Sequence, residues 1–506
     1  KRHGFRAAVG IVLGRKSGRF LTFGGSEHVI VEAPTRSGKG TGIVIPNLLT
    51  WQGSVVVLDV KRENYDASAG FRAHYGQQVF LFNPTDREGR TARYNPLAYI
   101  DRTDPDDVII ELQKIATMLF VAPEHGEAFW ANGARTGFAG VGAWLAETSD
   151  EPLTMGAIYR HLTDGDARSY FKKELANPRL YLSTGCRTAL SDFAGGSDNS
   201  FADIKKTITN VLGLWLNPLV DAATATSDFD LRQLRSRPMS IYLGVSPDEL
   251  DRIAPLYNLL FQQLIDLNVR ALPDENSAVP VLVILDEFAR LGRASVIASA
   301  FSYVAGYGIR LMPVIQSRSQ LRGVYGEHVA DEIVANCGVE VAFTPKELRV
   351  ANDLSERIGY IGQESVTKSL TINGLLANRS KSISEQRRAL MLPQELMQFP
   401  PDKLILLRGG IPPIIGTKIA YFSNRFFKAR AFPPPPVQAI PKPSIDAGPA
   451  PAFRDMTDDE AAGKFTRPMN QEDVFTKDCP SQMADLVTIN HNGEVTGILD
   501  EGDEYA

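Results

Sequence analysis

A short stretch near the amino terminus combines glycine, hydroxyl and basic side chains at a spacing suited to phosphate binding. It follows the apolar run His28–Val31 and reads Ala33-Pro34-Thr35-Arg36-Ser37-Gly38-Lys39-Gly40-Thr41. In such a loop, successive backbone N–H groups point inward, glycines allow close approach, and a lysine reaches the outer phosphates. The pattern predicts nucleotide contacts from a set that comprises Thr35, Arg36, Ser37, Gly38, Lys39, Gly40 and Thr41.

The loop departs at two positions from the usual phosphate-binding pattern G-x-x-x-x-G-K-[ST]. Ala33 stands where the first glycine would be, and Gly40 stands where a Mg²⁺-binding hydroxyl is expected. Thr41, one residue later, is the nearest substitute and is therefore the candidate metal ligand from the loop. Taken alone, the stretch is open to two interpretations, a nucleotide-binding loop or an ordinary glycine-rich turn.

Two further segments carry side chains that nucleotide hydrolysis requires. One continuous apolar run ends in Asp286-Glu287, and a later one, from residue 308, ends in Gln316. Such runs indicate buried parallel strands, whose carboxyl ends meet at one edge of a sheet, where ligands bind. An Asp-Glu pair after a strand is also a common way to begin a helix, so the pair alone does not identify a catalytic site.

Together with the loop, these strand ends predict hydrolysis of a nucleoside triphosphate. Lys39 would offset charge on the outer phosphates, and Asp286 would hold Mg²⁺ directly or through water. Glu287 would accept a proton from the attacking water, and Gln316 would orient that water or sense the γ-phosphate. We therefore expect ATP and Mg²⁺ to bind, with Lys39, Glu287 and Gln316 as the catalytic residues and Thr41 and Asp286 as the metal ligands.

The elements that must position these residues follow an α/β pattern. The pattern predicts a helix from Thr41 to Leu49 that Pro46 shortens or kinks, and a short β-rich segment before residue 28. Besides the strands that lead to the site, the predicted strands are Ser54–Asp59, Gln78–Phe82, Met239–Val245, Val339–Phe343, 403–408 and 414–421.

From Asp104 to about Leu216 the pattern is helical, which predicts an all-α insertion within the α/β domain. Within it, Gly185–Ser200 is expected to be a loop. Residues 364–390 are polar and weakly patterned, and we expect either a hairpin or a mobile loop there. An aromatic stripe in the insertion is interpreted as core rather than as a base-stacking platform, and it comprises Phe129, Trp130, Phe138 and Trp144.

Charge is unevenly distributed along the 506 residues, whose net charge is −5. Residues 444–506 contain 14 acidic and 4 basic side chains, so the rest of the chain is mildly basic and can accept a polyanion locally. A proline-rich run begins at Pro433, and residues 431–506 are expected to be a linker and a disordered acidic tail, either inert or a docking peptide. We therefore expect a nucleotide-binding domain at 1–103 and 217–430, an all-α domain at 104–216, and this tail.

Other features exclude several classes of protein. Three scattered cysteines offer neither a disulfide framework nor metal-ligand spacing, and they indicate a reducing compartment. No apolar run approaches the ~18 residues that span a bilayer, and the basic amino terminus lacks the features of a signal peptide. The chain does not begin with methionine, which is consistent with a fragment of a longer protein. Without a basic helix or zinc finger, any DNA contact is expected to be to the backbone and sensitive to salt.

Several of these segments together resemble the TraG-type coupling proteins of type IV secretion, the ATPases that deliver DNA and proteins to conjugation channels. The resemblance covers about residues 20–425 and rests on APTRSGKG, DVKRENY, ILDEFARLGR and GYGIRLMPVIQSRSQL. That family commonly has a glycine at the position of Gly40. The segment Asp59–Glu63 differs from the family's D-P-K-G-E at Val60 and Arg62, which keeps the acid and the lysine but alters the turn.

The resemblance implies a RecA-like P-loop NTPase domain with a mostly parallel sheet, and a helical domain that receives substrates. It also implies a homo-hexameric ring, an arginine from the neighbouring subunit in each site, and a membrane anchor that precedes the domain. The candidate arginines are Arg290, Arg293 and Arg310. The implied partners are relaxase-bound single-stranded DNA, effector proteins, and channel components at the cytoplasmic face of the bacterial inner membrane.

Two alternatives are open beside an ATP-hydrolysing coupling protein. One is an FtsK-like translocase of double-stranded DNA, against which the helical insertion between the nucleotide motifs argues. The other is a substrate receptor or adaptor that uses ATP only for assembly. The intact pair Asp286-Glu287 favours turnover, so the coupling protein is the function that the sequence predicts.

Overall fold

The computed structural model describes residue 5, residues 7–122, 128–274, 278–373 and 376–441, and two short strands beyond them. The rest of the expected acidic tail lies outside the described residues. In chain order the strands are β1 Ile11–Lys16, β2 Arg19–Phe23, β3 His28–Glu32, β4 Ser54–Val60, β5 Gln78–Phe82, β6 Met239–Val245, β7 Val281–Asp286, β8 Ile309–Ile315, β9 Cys337–Ala342, β10 Tyr360–Asn373, β11 Leu376–Ala389, β12 Lys403–Leu407, β13 Ile414–Thr417, β14 Thr488–Ile489 and β15 Val495–Gly497.

An eleven-stranded sheet forms the centre of the fold, in the order β2-β1-β13-β12-β9-β3-β8-β7-β4-β6-β5. The strands from β9 to β5 run parallel, whereas β12, β13, β1 and β2 extend the sheet with antiparallel pairs. Every residue of β3, β6 and β7 is buried, as expected of continuous apolar runs in a parallel sheet. The predicted α/β class with a mostly parallel sheet is confirmed.

Helices cover both faces of this sheet. In β4, Val56 and Leu58 belong to one buried core, while Val55 and Val57 belong to another, because successive side chains of a strand point to opposite faces. The helices are α1 Ile45–Leu48, α2 Glu63–His74, α3 Pro105–Leu119, α4 Phe129–Thr148, α5 Met155–Thr163, α6 Ala167–Ala176, α7 Thr184–Gly195, α8 Asp198–Leu212, α9 Pro218–Ala223, α10 Leu250–Asn268, α11 Ser295–Ala300, α12 Arg318–Tyr325, α13 Glu327–Ala335, α14 Leu348–Ile358, α15 Pro393–Met397 and α16 Arg425–Lys428.

The segment between β5 and β6 is helical, from α3 to α9. Asp104 caps α3 by accepting a hydrogen bond from the backbone N–H of Asp106, at the residue where the sequence predicted the helical segment to begin. The prediction of helices in this segment is confirmed, while the domain limits at 104 and 216 stay predictions.

The prediction of a loop at Gly185–Ser200 was wrong, because the stretch contains α7 and the start of α8. Serine side chains cap both helices: Ser183 accepts from the N–H of Cys186, and Ser197 accepts from the N–H of Ser200. Only a few apolar residues in a glycine- and serine-rich stretch mark the helix, so its periodicity is weak. Those that α7 buries are Cys186, Leu190, Phe193 and Ala194.

The aromatic stripe of α4 is divided between core and surface. Phe138 and Trp144 are buried, in agreement with the interpretation as core. Phe129 and Trp130, at the start of the helix, are 56% and 36% exposed. Elsewhere, β10 and β11 form one long antiparallel hairpin, which decides between the two structures that the sequence left open for residues 364–390.

The proline-rich segment is packed on the domain as far as residue 441, which corrects the expectation of a coreless linker from residue 431. Phe432 stacks on Phe71 of α2 with ring centroids 6.4 Å apart. The Tyr65 hydroxyl donates to the Pro435 carbonyl at 2.8 Å, and the strap can approach α2 closely because Gly70 has no side chain. We call residues 431–441 the proline strap.

Candidate active site

The strand order brings the predicted site residues to one edge of the sheet. β3 lies between β8 and β9, and β7 lies next to β8. Because these strands are parallel and in register, the loop after β3, the acids at the end of β7 and the residue after β8 leave the sheet side by side. This is the carboxyl edge, where parallel α/β sheets bind their ligands.

The loop after β3 has a backbone suited to an anion. Arg36 and Gly38 have φ angles of 61° and 85°, in the left-handed region, so the chain turns sharply before Lys39. Among the backbone hydrogen bonds of the described residues, none is donated by the N–H groups of Gly38, Lys39 or Gly40. A Cβ atom placed on Gly40 would meet no heavy atom within 4 Å, so the space beside the loop is open.

The expected helix from Thr41 to Leu49 is divided into two turns of different type. A π-helical turn, Gly40–Val44, leads directly into the short helix α1. Pro46 lies in the first turn of α1 and has no N–H to donate to the π-helical turn that precedes it. The predicted shortening is therefore present, and single π-turns of this kind are frequent at functional sites.

Lys39 forms the centre of an ionic cluster. Its ammonium nitrogen lies 2.9 Å from Asp286 Oδ1 and donates to Glu287 Oε1. Burial disfavours the charged ammonium, but the two carboxylates outweigh burial and raise the pKa of Lys39 above its usual value. Lysine is therefore held charged at the position where outer phosphates would bind.

The two acids of the cluster differ in their protonation behaviour. Asp286 is buried, and burial raises the pKa of its carboxyl despite the opposing charge of Lys39. Burial also acts on Glu287, but the hydrogen bond and charge of Lys39 dominate in sum and lower the pKa of Glu287. Glu287 has a φ angle of 58°, a left-handed conformation that is strained for a non-glycine residue and is typical of functional sites.

Gln316 links the acid to the phosphate loop. Its amide nitrogen donates to Glu287 Oε2 at 2.9 Å, and its amide oxygen accepts from the Thr35 hydroxyl at 2.8 Å. A continuous chain of polar contacts therefore runs from Thr35 through Gln316 and Glu287 to Lys39. Both ends of the chain belong to the loop after β3, so a group bound by the loop would contact the catalytic candidates as well.

The two remaining hydroxyls of the loop bond within it. Thr41 Oγ1 donates to the Gly38 carbonyl at 3.1 Å, and Ser37 Oγ donates to the Pro34 carbonyl at 2.5 Å. A hydroxyl that donates one hydrogen bond keeps its lone pairs for a cation. Thr41 can therefore serve as the metal ligand that Gly40 cannot supply.

Two lysines that the sequence reasoning missed hold the loop from outside. Lys346, before α14, donates to the Thr35 carbonyl at 2.9 Å, and Lys418, after β13, donates to the Ser37 carbonyl at 3.0 Å. Lys418 also lies over the ring of Phe343, and burial lowers its pKa to about 8. Neither lysine belongs to a local motif, so only the folded chain reveals their contacts with the loop.

The acid at the end of β4 is structural. Asp59 is buried and accepts from the backbone N–H groups of Asn64 and Tyr65 at 3.1 and 2.7 Å, which fixes the start of α2. Burial raises the pKa of Asp59 to about 7, against the effect of those two hydrogen bonds. Lys61 and Arg62 have φ angles of 84° and 63°, so the turn keeps a left-handed backbone without the family's glycine.

The three candidate arginines occupy different surroundings. Arg290, three residues after Glu287, donates to the Pro247 carbonyl at 2.9 Å. Arg293 is exposed on the segment before α11. Arg310 lies at the opposite, amino end of β8, where its guanidinium stacks 5.4 Å from the ring of Trp51 and burial lowers its pKa. Arg310 therefore has a structural role in packing against Trp51. Which arginine a neighbouring subunit would supply stays a prediction.

The residues at this edge fit a nucleotide phosphate together with a divalent cation. Asp286 Oδ1 is buried and makes no hydrogen bond of good geometry within the described residues, although Lys39 is close. Mg²⁺ typically takes one or two protein oxygens and completes its shell with phosphates and water. Asp286 and Thr41 match that demand, and the described residues contain no cluster of three or more His, Cys, Asp or Glu that could hold a metal alone.

Fold and site together define a RecA-like P-loop NTPase. Among solved structures, the chain is similar to the plasmid coupling protein TrwB in complex with the non-hydrolysable ATP analogue ADPNP. The TM-score is 0.59 at 18% identity, over 82% of this chain and 89% of that one. TrwB in complex with ADP and Mg²⁺ gives a TM-score of 0.58, over 88% of this chain and 92% of that one. The predicted RecA-like fold is thereby confirmed.

Sequence comparison identifies the family. A model of the family described as type IV secretory system conjugative DNA transfer matches residues 4–442. The chain is 35% identical over 416 residues to Protein VirD4 of Rhizobium radiobacter, which covers 81% of this chain and 59% of that protein. It is also 28% identical over 463 residues to conjugal transfer protein TraG of Escherichia coli. This match covers 83% of this chain and 72% of that protein. The chain belongs to the type IV secretion conjugative DNA transfer family, as the resemblance to TraG-type coupling proteins implied.

The chain spans about three-fifths of the length of the VirD4 relatives that it matches. Within the described residues, no helix combines the length and hydropathy that a membrane span requires.

Proposed function

We propose that this chain is the motor part of a type IV coupling protein, which hydrolyses ATP while it delivers substrates to a secretion channel. The observation that carries the proposal is the chain of contacts from Lys39 through Glu287 and Gln316 to Thr35 at one sheet edge. These contacts place a cation, a carboxylate and an amide around the loop that binds phosphates in P-loop enzymes. The similarity in fold to TrwB, for which structures with an ATP analogue and with a GTP analogue exist, supports a purine nucleoside triphosphate, and we propose that it is ATP.

The loop would bind the nucleotide by exchange of ionic partners. The N–H groups of Gly38, Lys39 and Gly40 would donate to phosphate oxygens, with Arg36 and Ser37 beside them. Lys39 would turn from the two acids to the outer phosphates, which leaves Asp286 and Thr41 to hold Mg²⁺. When bound, Mg²⁺ offsets the charge that develops on the phosphoryl group.

Glu287 and Gln316 would act on the attacking water. The lowered pKa keeps Glu287 ionised at neutral pH, so its carboxylate can accept a hydrogen bond and then a proton from water. Gln316 already orients Glu287 through its amide nitrogen, and the same amide can hold the water in line. When nucleotide is bound and Lys39 no longer pairs with Glu287, the carboxylate of Glu287 would become more basic.

We further propose the substrates and surroundings of the motor. Relaxase-bound single-stranded DNA is the favoured substrate, because the matched family is described as conjugative DNA transfer, and effector proteins are the other candidate. Each chain would form one sixth of a homo-hexameric ring at the cytoplasmic face of the bacterial inner membrane. The ring would contact the channel there and complete each site with an arginine of its neighbour.

ATP turnover by the purified chain tests the enzymatic part of the proposal. Lys39→Ala and Glu287→Gln should each lower kcat by at least about 100-fold, because each removes charge stabilisation or proton transfer. Glu287→Gln should retain ATP binding, whereas Lys39→Ala should weaken it. Lys172→Ala, on an exposed face of α6, is the matched control and should leave both quantities unchanged.

The same variants separate the competing functions. Wild-type turnover in Lys39→Ala would refute the motor. Substrate transfer that survives Glu287→Gln but not Lys39→Ala would identify a receptor that uses ATP only for assembly. Turnover stimulated by double-stranded but not by single-stranded DNA would identify a duplex translocase instead.

A further inference from the structure

A large cleft separates the helical segment from the nucleotide-binding part of the fold. Its volume is about 1290 Å³, and its walls are formed by α3, the turn after α8, α10 and the start of α11. We call it the helical cleft. Arg293, one of the three candidate arginines, lines this cleft, whereas the phosphate loop, Asp286, Glu287 and Gln316 do not.

The floor and mouth of the helical cleft are apolar. Met118, Leu259 and Val296 line its interior, and Val121 and Leu216 stand at its mouth. Val121 and Leu216 are 73% and 70% exposed, which is unusual for two large aliphatic side chains that line the same cleft. An exposed apolar surface of this kind is typical of a binding site for a peptide segment.

The charged groups that line the cleft are mostly cationic. Among the residues that the structure describes, they comprise Lys114, Arg135, Arg252 and Arg293, against the carboxylate of Asp266. Lys114 and Arg252 pair with Glu111 and Glu249, whose side chains are only 15% and 31% exposed, while the two cationic side chains are each 49% exposed. Arg135 donates to the Phe120 carbonyl and to Asn132, both neutral, so its charge is not offset by these partners. The cleft therefore favours an occupant that combines apolar and acidic side chains.

The tail of this chain has that composition. Residues 455–475 contain six carboxylates and two basic side chains, together with apolar side chains at Met456, Phe465, Met469, Val474 and Phe475. The body of the chain is mildly basic, so the tail is the one strongly acidic part of the sequence.

The proline strap ends beside the connection that leads into α3, a helix that lines the cleft. Ile440, near the end of the strap, donates its N–H to the Gly89 carbonyl at 2.9 Å, in the connection that leads from β5 to α3. A random-coil chain of 14 residues, the separation between Pro441 and residue 455, has a root-mean-square end-to-end distance of about 20 Å. A tethered segment with that reach acts at an effective concentration in the millimolar range, so even weak docking is favoured.

We infer that the acidic segment 455–475 of this chain docks in the helical cleft of the same molecule. Its carboxylates face the cationic rim, and its aromatic and aliphatic side chains cover Val121 and Leu216. The inference does not depend on ATP hydrolysis.

Photo-crosslinking in the full-length chain tests this docking. A benzoylphenylalanine placed at Val121 or Leu216 should crosslink to residues 455–475, as mapped by mass spectrometry. The same probe at Tyr181, which is 88% exposed on the helical segment but does not line the cleft, is the matched control and should give at least tenfold less tail crosslink. Equal yields at all three positions, or none to the tail from the two cleft positions, would overturn the inference.

Two further arms make the result specific. Lys114→Glu with Arg252→Glu should lower the crosslink yield severalfold, whereas Lys172→Glu with Lys173→Glu, also exposed on the helical segment, should not. High salt should lower the yield for the same electrostatic reason. A mixture of isotopically heavy and light chains should give crosslinks within one isotope only, and mixed pairs would show that the tail docks on a neighbouring molecule instead.

Discussion

The ionic cluster around Lys39 makes a quantitative prediction about the protein without nucleotide. Lys39→Ala leaves the carboxylates of Asp286 and Glu287 adjacent and without their cation. The side chains of Asp286 and Glu287 are only 13% and 18% exposed, so solvent screens their repulsion weakly. Breaking a buried pair costs about 3–5 kcal/mol, and the partial exposure of this site reduces the expected loss to about 2–3 kcal/mol.

The loss should depend on pH with a defined sign. In the wild-type protein, the lowered pKa of Glu287 contributes stability above the unfolded value of 4.5, and this contribution is lost as the pH falls. Burial already raises the pKa of Asp286, and without Lys39 we expect that pKa to rise further and the pKa of Glu287 to rise above its unfolded value, so the variant gains protons on folding. Its deficit should therefore be largest near pH 8 and shrink toward pH 5.

Thermal unfolding without nucleotide at several pH values measures this effect. A deficit of about 2–3 kcal/mol corresponds to a midpoint lower by about 4–6 °C at pH 8, if each kcal/mol shifts it by about 2 °C. Adding Glu287→Gln to Lys39→Ala should restore about 1–2 kcal/mol, because one of the two uncompensated charges is gone. A Lys39→Ala midpoint equal to that of wild type at pH 8, or a deficit that does not vary with pH, would refute the ionic cluster.

Three further predictions concern the loop, the turn after β4 and the strap. Gly38→Ala should weaken ATP binding at least tenfold in a titration, because the φ angle of 85° at that position is strained for alanine. Gly40→Ala should leave the melting temperature unchanged, because a Cβ atom at that position would meet open space. Asp59 has a pKa of about 7 in the folded state and 3.8 in the unfolded state, so its ionisation lowers the stability of the protein as the pH rises from 4 to 7. In Asp59→Asn, the midpoint of thermal unfolding should therefore depend less on pH over that range. Phe432→Ala removes the stacking on Phe71 and should release the proline strap, which limited proteolysis would detect as faster cleavage between residues 431 and 441.

The sequence predicted the parts of the site that stand on strands. The strands that end at Asp286-Glu287 and at Gln316 can be recognised in the sequence, because a strand that is buried on both faces is mostly apolar along its length. The loop around Lys39 can be recognised as a candidate phosphate-binding loop, because glycine and lysine have specific roles in contacting phosphates. By contrast, α7 was missed because only a few apolar residues mark it, and capping serines resemble loop residues.

The proline strap shows a different limit of local reasoning. A run of prolines has no periodic apolar face, and it is typical of an extended linker. Its docking depends on Tyr65, on Phe71 and on the absence of a side chain at Gly70, all more than 350 residues away in the sequence. The amino-acid composition of the strap therefore does not predict where it docks.

By itself, the sequence predicted which residues would bind phosphate, hold a metal or accept a proton, because these properties belong to side chains and to short segments. The tertiary structure decided which of them meet. The position of β3 between β8 and β9, beside the end of β7, joins Thr35, Gln316, Glu287 and Lys39 into one set of contacts. Lys346 and Lys418 reach the same loop from segments more than 300 residues further along the chain. Strand order results from the packing of the whole sheet and its helices, and the local sequence has no signal for contacts across such distances.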